Sequence, residues 1–83
     1  MSIYERIAIN IKYYAGKLES TSKFQKYYPN KSIYDYLSNE SGISVRRIKN
    51  IIECKVKIKI PELCILSEVL GIEIEKLFDR REK

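Results

Sequence analysis

The sequence contains no histidine, and its two cysteines, Cys54 and Cys64, have no further cysteine pair that would complete a metal-ligand pattern. Without histidine the chain lacks the commonest general base, and no nucleophile motif, phosphate-binding loop or paired-carboxylate arrangement stands out. We therefore expect a binding protein that is not an enzyme and that holds no metal and no cofactor. Cys64 falls within an apolar helical pattern, which predicts a small core residue there.

Glycine, proline and long apolar runs are also scarce. The 83 residues include only 3 Gly and 2 Pro and are 45% hydrophobic, which is typical of a globular chain and not of a disordered one. No apolar run approaches the roughly 20 residues of a membrane-spanning helix. The opening MSIYERIAIN carries Glu5 and Arg6 too early for a signal peptide. We expect a single domain over residues 1–83, located in the cytoplasm and away from membranes.

The net charge of +5 is concentrated in one short segment. Between residues 44 and 59 a single acid, Glu53, stands among six basic residues, namely Arg46, Arg47, Lys49, Lys55, Lys57 and Lys59. The rest of the chain holds ten basic and ten acidic residues and is therefore neutral. A solvated lysine-rich face would have the same composition. The position of the whole excess beside an amphipathic helix instead favours a surface that binds a polyanion.

Apolar spacing and capping residues predict three helices from residue 2 into the basic segment. A first helix begins at Ser2, which forms a capping box with Glu5, and its buried stripe contains Ile3, Ile7, Ile11, Tyr14 and Leu18. Ser32 caps a second helix that ends at Gly42, and Ser44 caps a third. Two helices joined by a tight glycine turn would form a helix-turn-helix.

Residues 19–31 break this pattern and contain Pro29 and Asn30, so we predict a loop that connects the first two helices. Connections between helices in small helical domains usually have about two to eight residues, and this loop is longer. A short turn of helix around Phe24 and Gln25 is the alternative. The aromatic residues of this segment could contact a nucleic-acid backbone beside its lysines, or fold back over the core, which we slightly favour. They are Phe24, Tyr27 and Tyr28.

The segment CKVKIKIP, residues 54–61, alternates strictly between polar and apolar residues. A basic hairpin wing is possible in principle, but no second strand follows, and a lone strand leaves its backbone unpaired. We predict an extended loop with its lysines outward and with Val56, Ile58 and Ile60 inward. Pro61 then begins a fourth helix that ends at Gly71. A final short helix over 73–78 and a tail over 79–83 complete the chain.

The order of these elements resembles the XRE/Cro family of lambda-repressor-like helix-turn-helix proteins. The matching segments are RIAINIK, YLSNESGIS, IKNI, IPELCILSEVLGI and EKLF, and from Ser32 to Phe78 the family register runs without a gap. The resemblance implies an all-α, five-helix DNA-binding domain, here with a long loop between helices one and two. The chain departs from the family where Ile52, Glu53 and Cys54 replace the common Glu-Asn-Gly. The glutamate of this trio often forms an ion pair with a basic residue of helix one, which Ile52 cannot do. The asparagine often contacts a phosphate, which Glu53 would repel.

By this resemblance the third helix lies in the major groove. The residues that would then contact base edges are Val45, Arg46, Lys49 and Asn50. Arginine can donate two hydrogen bonds to guanine, asparagine can bracket adenine, and valine can pack on a thymine methyl. The residues expected to contact phosphates are Tyr34, Ser44, Arg47, Lys55, Lys57 and Lys59. For two of them an alternative stays open: Arg47 could form an internal salt bridge, and Tyr34 could pack on the inserted loop.

The resemblance also implies a function. We expect a small, sequence-specific regulator that binds double-stranded DNA, most simply a repressor of phage or mobile-element type that acts as a homodimer on a palindromic operator. Ile74, Leu77 and Phe78 are the candidates for the dimer contact, although they could equally close the monomer core. The alternative function is an antitoxin or another protein-interaction module on the same fold, for which the long 19–31 segment and the missing Asn-Gly cap are the arguments.

Overall fold

A computed structural model describes residues 2–80, which form five α-helices and one 3₁₀ helix and contain no strand. The α-helices are α1 (Ile3–Glu19), α2 (Ser22–Tyr27), α3 (Ile33–Ser41), α4 (Val45–Ile52) and α5 (Ile60–Leu70), and the 3₁₀ helix is Ile74–Phe78. The prediction of an all-α chain is confirmed for this part of the sequence. No helix within it is both long enough and apolar enough to cross a membrane. Of the predicted tail over 79–83, residues 81–83 lie outside the described part.

Serine caps begin three of the helices, as predicted. The Ser2 hydroxyl accepts from the Glu5 N–H at 3.2 Å, and the Glu5 carboxylate accepts from the Ser2 N–H at 2.8 Å, which completes a capping box. The Ser32 hydroxyl accepts from Asp35 N–H at 3.2 Å, and the Ser44 hydroxyl accepts from Arg47 N–H at 3.1 Å. These bonds satisfy backbone donors that the first turn of a helix leaves free.

A three-residue turn at 42–44 joins α3 to α4. Gly42 ends α3 with a φ of +79°, and its N–H donates to the Ser38 carbonyl at 2.9 Å. This left-handed conformation strains residues that carry a Cβ, so glycine suits the position. The turn therefore fixes where α4 starts relative to α3.

The core is organised around α1, which packs against every other element. The fully buried apolar side chains come from each of the longer helices and from the 3₁₀ helix: Ile11, Leu37, Ile48, Leu66 and Leu77. One polar residue, Asn10, is also fully buried. Its Nδ2 donates to the carbonyls of Leu77 at 2.8 Å and Asp79 at 2.7 Å, so it ties the end of the described chain to α1.

The prediction of a loop over 19–31 was wrong for seven of its residues, because Glu19 ends α1 and six others form α2. Thr21 caps this helix by accepting from Phe24 N–H at 3.2 Å, and Phe24 is only 4% exposed. Its ring lies 5.2 Å from the ring of Tyr28 and 5.5 Å from that of Tyr36. The alternatives of a short helix here and of aromatic residues covering the core are therefore confirmed, except for Tyr27, which is exposed.

Three further side chains lie elsewhere than predicted. Ile3, which was predicted in the buried stripe of the first helix, is 41% exposed at the start of α1. Cys64 is exposed and not in the core, since α5 turns its other face inward. Ile60 is 70% exposed instead of inward, because the helix begins at this residue and the alternating pattern ends before it.

Of the two alternatives for Leu77, the structure confirms the monomer core. Leu77 is fully buried, so it has no surface to give to a second copy. Of its two neighbours in that prediction, Ile74 is half-buried and Phe78 is 38% exposed.

Candidate nucleic-acid interface

Helix α4 divides into a buried face and a charged face. Ile48 and Ile51 point into the core, while Val45 and Ile52 are half-buried at its margins. On the other side the structure places Arg46 and Lys49 in solvent and leaves Asn50 half-buried. The core contacts therefore orient the helix so that the four predicted base-contacting residues lie along or beside its outer face. Ser44, exposed at the N-terminus, caps the helix.

An ion pair joins α4 to α5. Arg47 donates from Nε to Glu62 Oε2 and from Nη2 to Glu62 Oε1, both at 2.9 Å. These hydrogen bonds lower the pKa of the Glu62 carboxyl below its ordinary value, against the opposing effect of burial, and they raise that of Arg47. Arg47, which we had expected to contact phosphate or to form an internal salt bridge, thus forms the salt bridge.

The same two side chains position the basic loop between α4 and α5. Arg47 Nη2 also donates to the Lys57 carbonyl at 3.1 Å, and Glu62 Oε1 accepts from the Lys59 N–H at 2.8 Å. One arginine and one carboxylate therefore hold the loop against the helix. Lys57 and Lys59 are both exposed on this loop, and their backbone groups are hydrogen-bonded to the pair of Arg47 and Glu62.

The end of α4 is closed by two backbone hydrogen bonds around Cys54. The Cys54 N–H donates to the Ile51 carbonyl at 3.1 Å, and the Lys55 N–H donates to the Asn50 carbonyl at 2.9 Å. This is the Schellman pattern, in which the residue after the cap adopts a left-handed conformation. Cys54 does so, with a φ of +60°, and it is the one residue other than glycine with a positive φ in the described chain.

Two lysines of this surface lie over tyrosine rings. Lys49 Nζ is 5.6 Å from the ring centroid of Tyr34 on α3, and Lys57 Nζ is 5.4 Å from that of Tyr4 on α1. Such cation–π contacts restrict a long side chain without neutralising it. Tyr34 is half-buried, packs against the core and lies beneath Lys49.

The six cations of the basic segment are not equivalent. Arg47 is paired with Glu62, and Lys55 Nζ lies 3.0 Å from Glu53 Oε1 in an exposed ion pair. Within residues 2–80 the other four have no carboxylate partner, and we call them the free cations: Arg46, Lys49, Lys57 and Lys59. The predicted dimer residues lie on the 3₁₀ helix, which packs against α1 and α5 and not against α4.

The sequence did not reveal two contributors to this surface. Glu62 gave one weak signal, its position three residues after the residue that caps α5, which is where a capping-box acid stands. Tyr4 gave none, because its contact with Lys57 joins residues far apart in the chain. No group of three or more potential metal ligands occurs among the described residues.

Comparison with protein-family models, with curated proteins and with solved structures finds no match to this chain.

Proposed function

We propose that this chain is a lambda-repressor-like helix-turn-helix domain that binds double-stranded DNA sequence-specifically, with α4 as its recognition helix. The observation that carries the proposal is the arrangement of α4: its apolar face is fixed in the core, and its outer face presents Arg46 and Lys49 without acid partners. An outer face of this kind, reached through a short glycine turn from α3, has the geometry that a major-groove helix needs.

The C-terminus of α4 supports the family resemblance. The family commonly has glycine at the last position of its Glu-Asn-Gly trio, and Cys54 occupies that position here. The φ of Cys54 is +60°, the left-handed conformation that glycine favours. A left-handed residue at the position where the family commonly has glycine supports the proposed resemblance.

The chemistry of the outer face matches the edges of base pairs. In the proposed complex Arg46 donates two hydrogen bonds to guanine O6 and N7, and Asn50 brackets adenine N6 and N7. Lys49 donates to an acceptor in the groove, and Val45 packs against a thymine methyl. The tyrosine beneath Lys49 restricts its ammonium before DNA arrives, which reduces the entropy lost on binding.

Phosphate contacts are proposed for the exposed loop and for the margins of α3 and α4. Lys57 and Lys59 are free to neutralise phosphates, whereas Lys55 must first leave Glu53. Ser44 and the Tyr34 hydroxyl can donate to the backbone at the flanks. Arg47 positions the loop through its ion pair with Glu62 and its hydrogen bond to the Lys57 carbonyl. We therefore propose that Arg47 holds this surface in place.

The proposed regulator is a repressor that acts as a dimer on a palindromic site, since one such helix reads only a few base pairs. Ile74 and Phe78 remain the proposed dimer contact after the burial of Leu77.

The test of this proposal begins with selection of bound duplexes from a random DNA pool at near-physiological salt. We expect enrichment of a palindromic motif. Retention of DNA without enrichment would contradict sequence-specific readout, and no retention at low salt would contradict DNA binding altogether and direct attention to a protein partner.

The matched variants for the selected duplex are Arg46→Ala and Lys57→Ala. Arg46→Ala should cost about 1–3 kcal/mol, or about 5- to 150-fold in affinity, mainly on the selected duplex. Lys57→Ala should weaken selected and scrambled duplexes alike and reduce the magnitude of the salt slope by about 0.9. Equal losses on both duplexes for Arg46→Ala would show that this residue does not read a base.

A further inference from the structure

The segment that forms α2 carries a second cationic surface. Residues 20–34 contain no acidic residue and include Lys23, Lys26 and Lys31, all of them exposed. None of the three forms an ion pair with a carboxylate in the described chain. Tyr27 is 62% exposed beside them, with Lys26 Nζ 5.7 Å from its ring centroid. We call these four residues the α2 surface.

The orientation of α2 is fixed by its contacts. Phe24 is buried against Tyr28 and Tyr36, and burial raises the pKa of the Tyr36 phenol above its ordinary value. Gln25 Nε2 donates to the Glu19 carbonyl at 2.7 Å. Because the helix turns its one aromatic anchor inward, Lys23 and Lys26 are held outward.

The position of α2 relative to α4 follows from two tyrosines on α3. Lys49 of α4 lies over the ring of Tyr34, while Phe24 of α2 packs against Tyr36. Residues two apart on a helix are about 200° apart around its axis, so their side chains lie on opposite flanks. Helix α2 packs on α1 and reaches α3 through the ring of Phe24 against Tyr36, on the flank of α3 opposite to the one where Lys49 of α4 lies over Tyr34.

The start of α3 is joined to the end of α1. The Ile33 N–H donates to the Glu19 carboxylate at 3.3 Å, so the segment that contains α2 begins and ends at neighbouring points of the structure. Lys31 lies two residues before Ile33 and is exposed, which places this member of the α2 surface next to the N-terminus of α3.

We propose that the α2 surface binds DNA phosphates outside the base pairs that α4 reads. This inference rests on the proposed function. In a helix-turn-helix complex the first helix of the pair crosses the DNA backbone while the second occupies the major groove. An element beside α3 on the side away from α4 lies along the backbone beyond that groove, where lysines and a tyrosine hydroxyl find phosphate acceptors.

The experiment compares Lys23→Gln/Lys26→Gln with the wild-type chain on two duplexes. One holds only the selected site, and the other adds about 10 base pairs, roughly one helical turn, on each side. For the wild type we expect the slope of log affinity against log salt to be steeper on the long duplex by about 2.7, from three added lysine–phosphate contacts. The double variant should lose about 1.8 of this difference, since Lys31 remains, and it should keep the wild-type slope and base preference on the short duplex.

The matched control is Lys12→Gln/Lys17→Gln, which removes the same charge from exposed positions on α1. It should leave the long-duplex difference in place. Wild-type binding to the short duplex without a steeper slope on the long one would overturn the α2 surface alone. An equal loss for the α2 variant on both duplexes would overturn its location outside the site. Failure of the wild type to bind either duplex would instead overturn the proposed function.

Discussion

Replacement of Cys54 by glycine should stabilise the protein. Cys54 holds a φ of +60° at the end of α4, and a left-handed conformation costs a residue with a Cβ about 1–2 kcal/mol. Glycine removes that strain but loses more conformational entropy on folding, by about 0.5–1 kcal/mol. The Cys54 side chain is exposed, and its recorded polar contact is a long one of 3.9 Å from Sγ to the Tyr4 carbonyl. The net gain should therefore be about 0.75 kcal/mol, within a range of about 0–1.5 kcal/mol.

Urea denaturation under reducing conditions measures this gain, with Cys54→Ala as the control. Alanine removes the thiol and keeps the Cβ, so it should stay close to the wild type. Glycine should raise the midpoint without changing the dependence on urea, and the melting temperature should rise by about 2–8 °C. A glycine variant less stable than the alanine variant would refute the reasoning, because it would mean that residue 54 is not strained.

Three further perturbations test other parts of the structure. The hydrogen bonds from Arg47 lower the pKa of Glu62, so the pair stabilises the fold above the carboxyl's unfolded pKa and stops doing so as the pH falls through its folded pKa. Glu62→Gln should therefore destabilise at pH 7 and much less near pH 3, as measured by urea denaturation at both. Asn10→Ala should cost about 1–3 kcal/mol in thermal unfolding, because two backbone carbonyls lose their donor. Glu53→Gln should release Lys55 and steepen the salt slope of DNA binding by about 0.9.

The sequence predicted most of the helices because their signals are local. Serine caps at positions 2, 32 and 44 and glycine ends at 42 and 71 act within one turn of the residues they terminate. Helix α2 could not be predicted in the same way. Six residues are too few for a periodic pattern, and so short a helix forms only when tertiary contacts hold it. The contact with another helix is that of Phe24 with Tyr36 on α3, which no local rule anticipates.

Helix α5 illustrates a limit of periodicity. Spacing predicts Leu63, Leu66, Val69 and Leu70 as its buried face, but the sequence IPELCILSEVL is apolar on almost every side, so the spacing does not exclude Cys64 from the core. The structure buries Leu63, Leu66 and Leu70 and exposes Cys64. Only the position of α5 between α3 and the 3₁₀ helix decides which face is covered.

The distribution of charge along the sequence located the candidate surface, but it did not show which of its cations are paired with acids. Counting charges finds six cations in one segment, whereas the structure leaves four of them free of acids. The partner of Arg47 lies 15 residues away on another helix. An ion pair between such distant positions depends on how α4 and α5 pack, and composition carries no information about that.

The readout proposed for α4 depends on the core more than on α4 itself. Isolated helices shorter than about 12–15 residues are marginal in water, and α4 has eight residues. Its order must therefore come from Ile48 and Ile51, which anchor it in the core, and from the link between Arg47 and Glu62. These buried and paired neighbours determine where the exposed side chains of Arg46 and Lys49 lie. Changes that loosen the core should consequently weaken discrimination between base pairs before they weaken attraction to phosphates. Hydrogen bonds to base edges depend on the direction of each side chain, whereas attraction to phosphates depends mainly on charge.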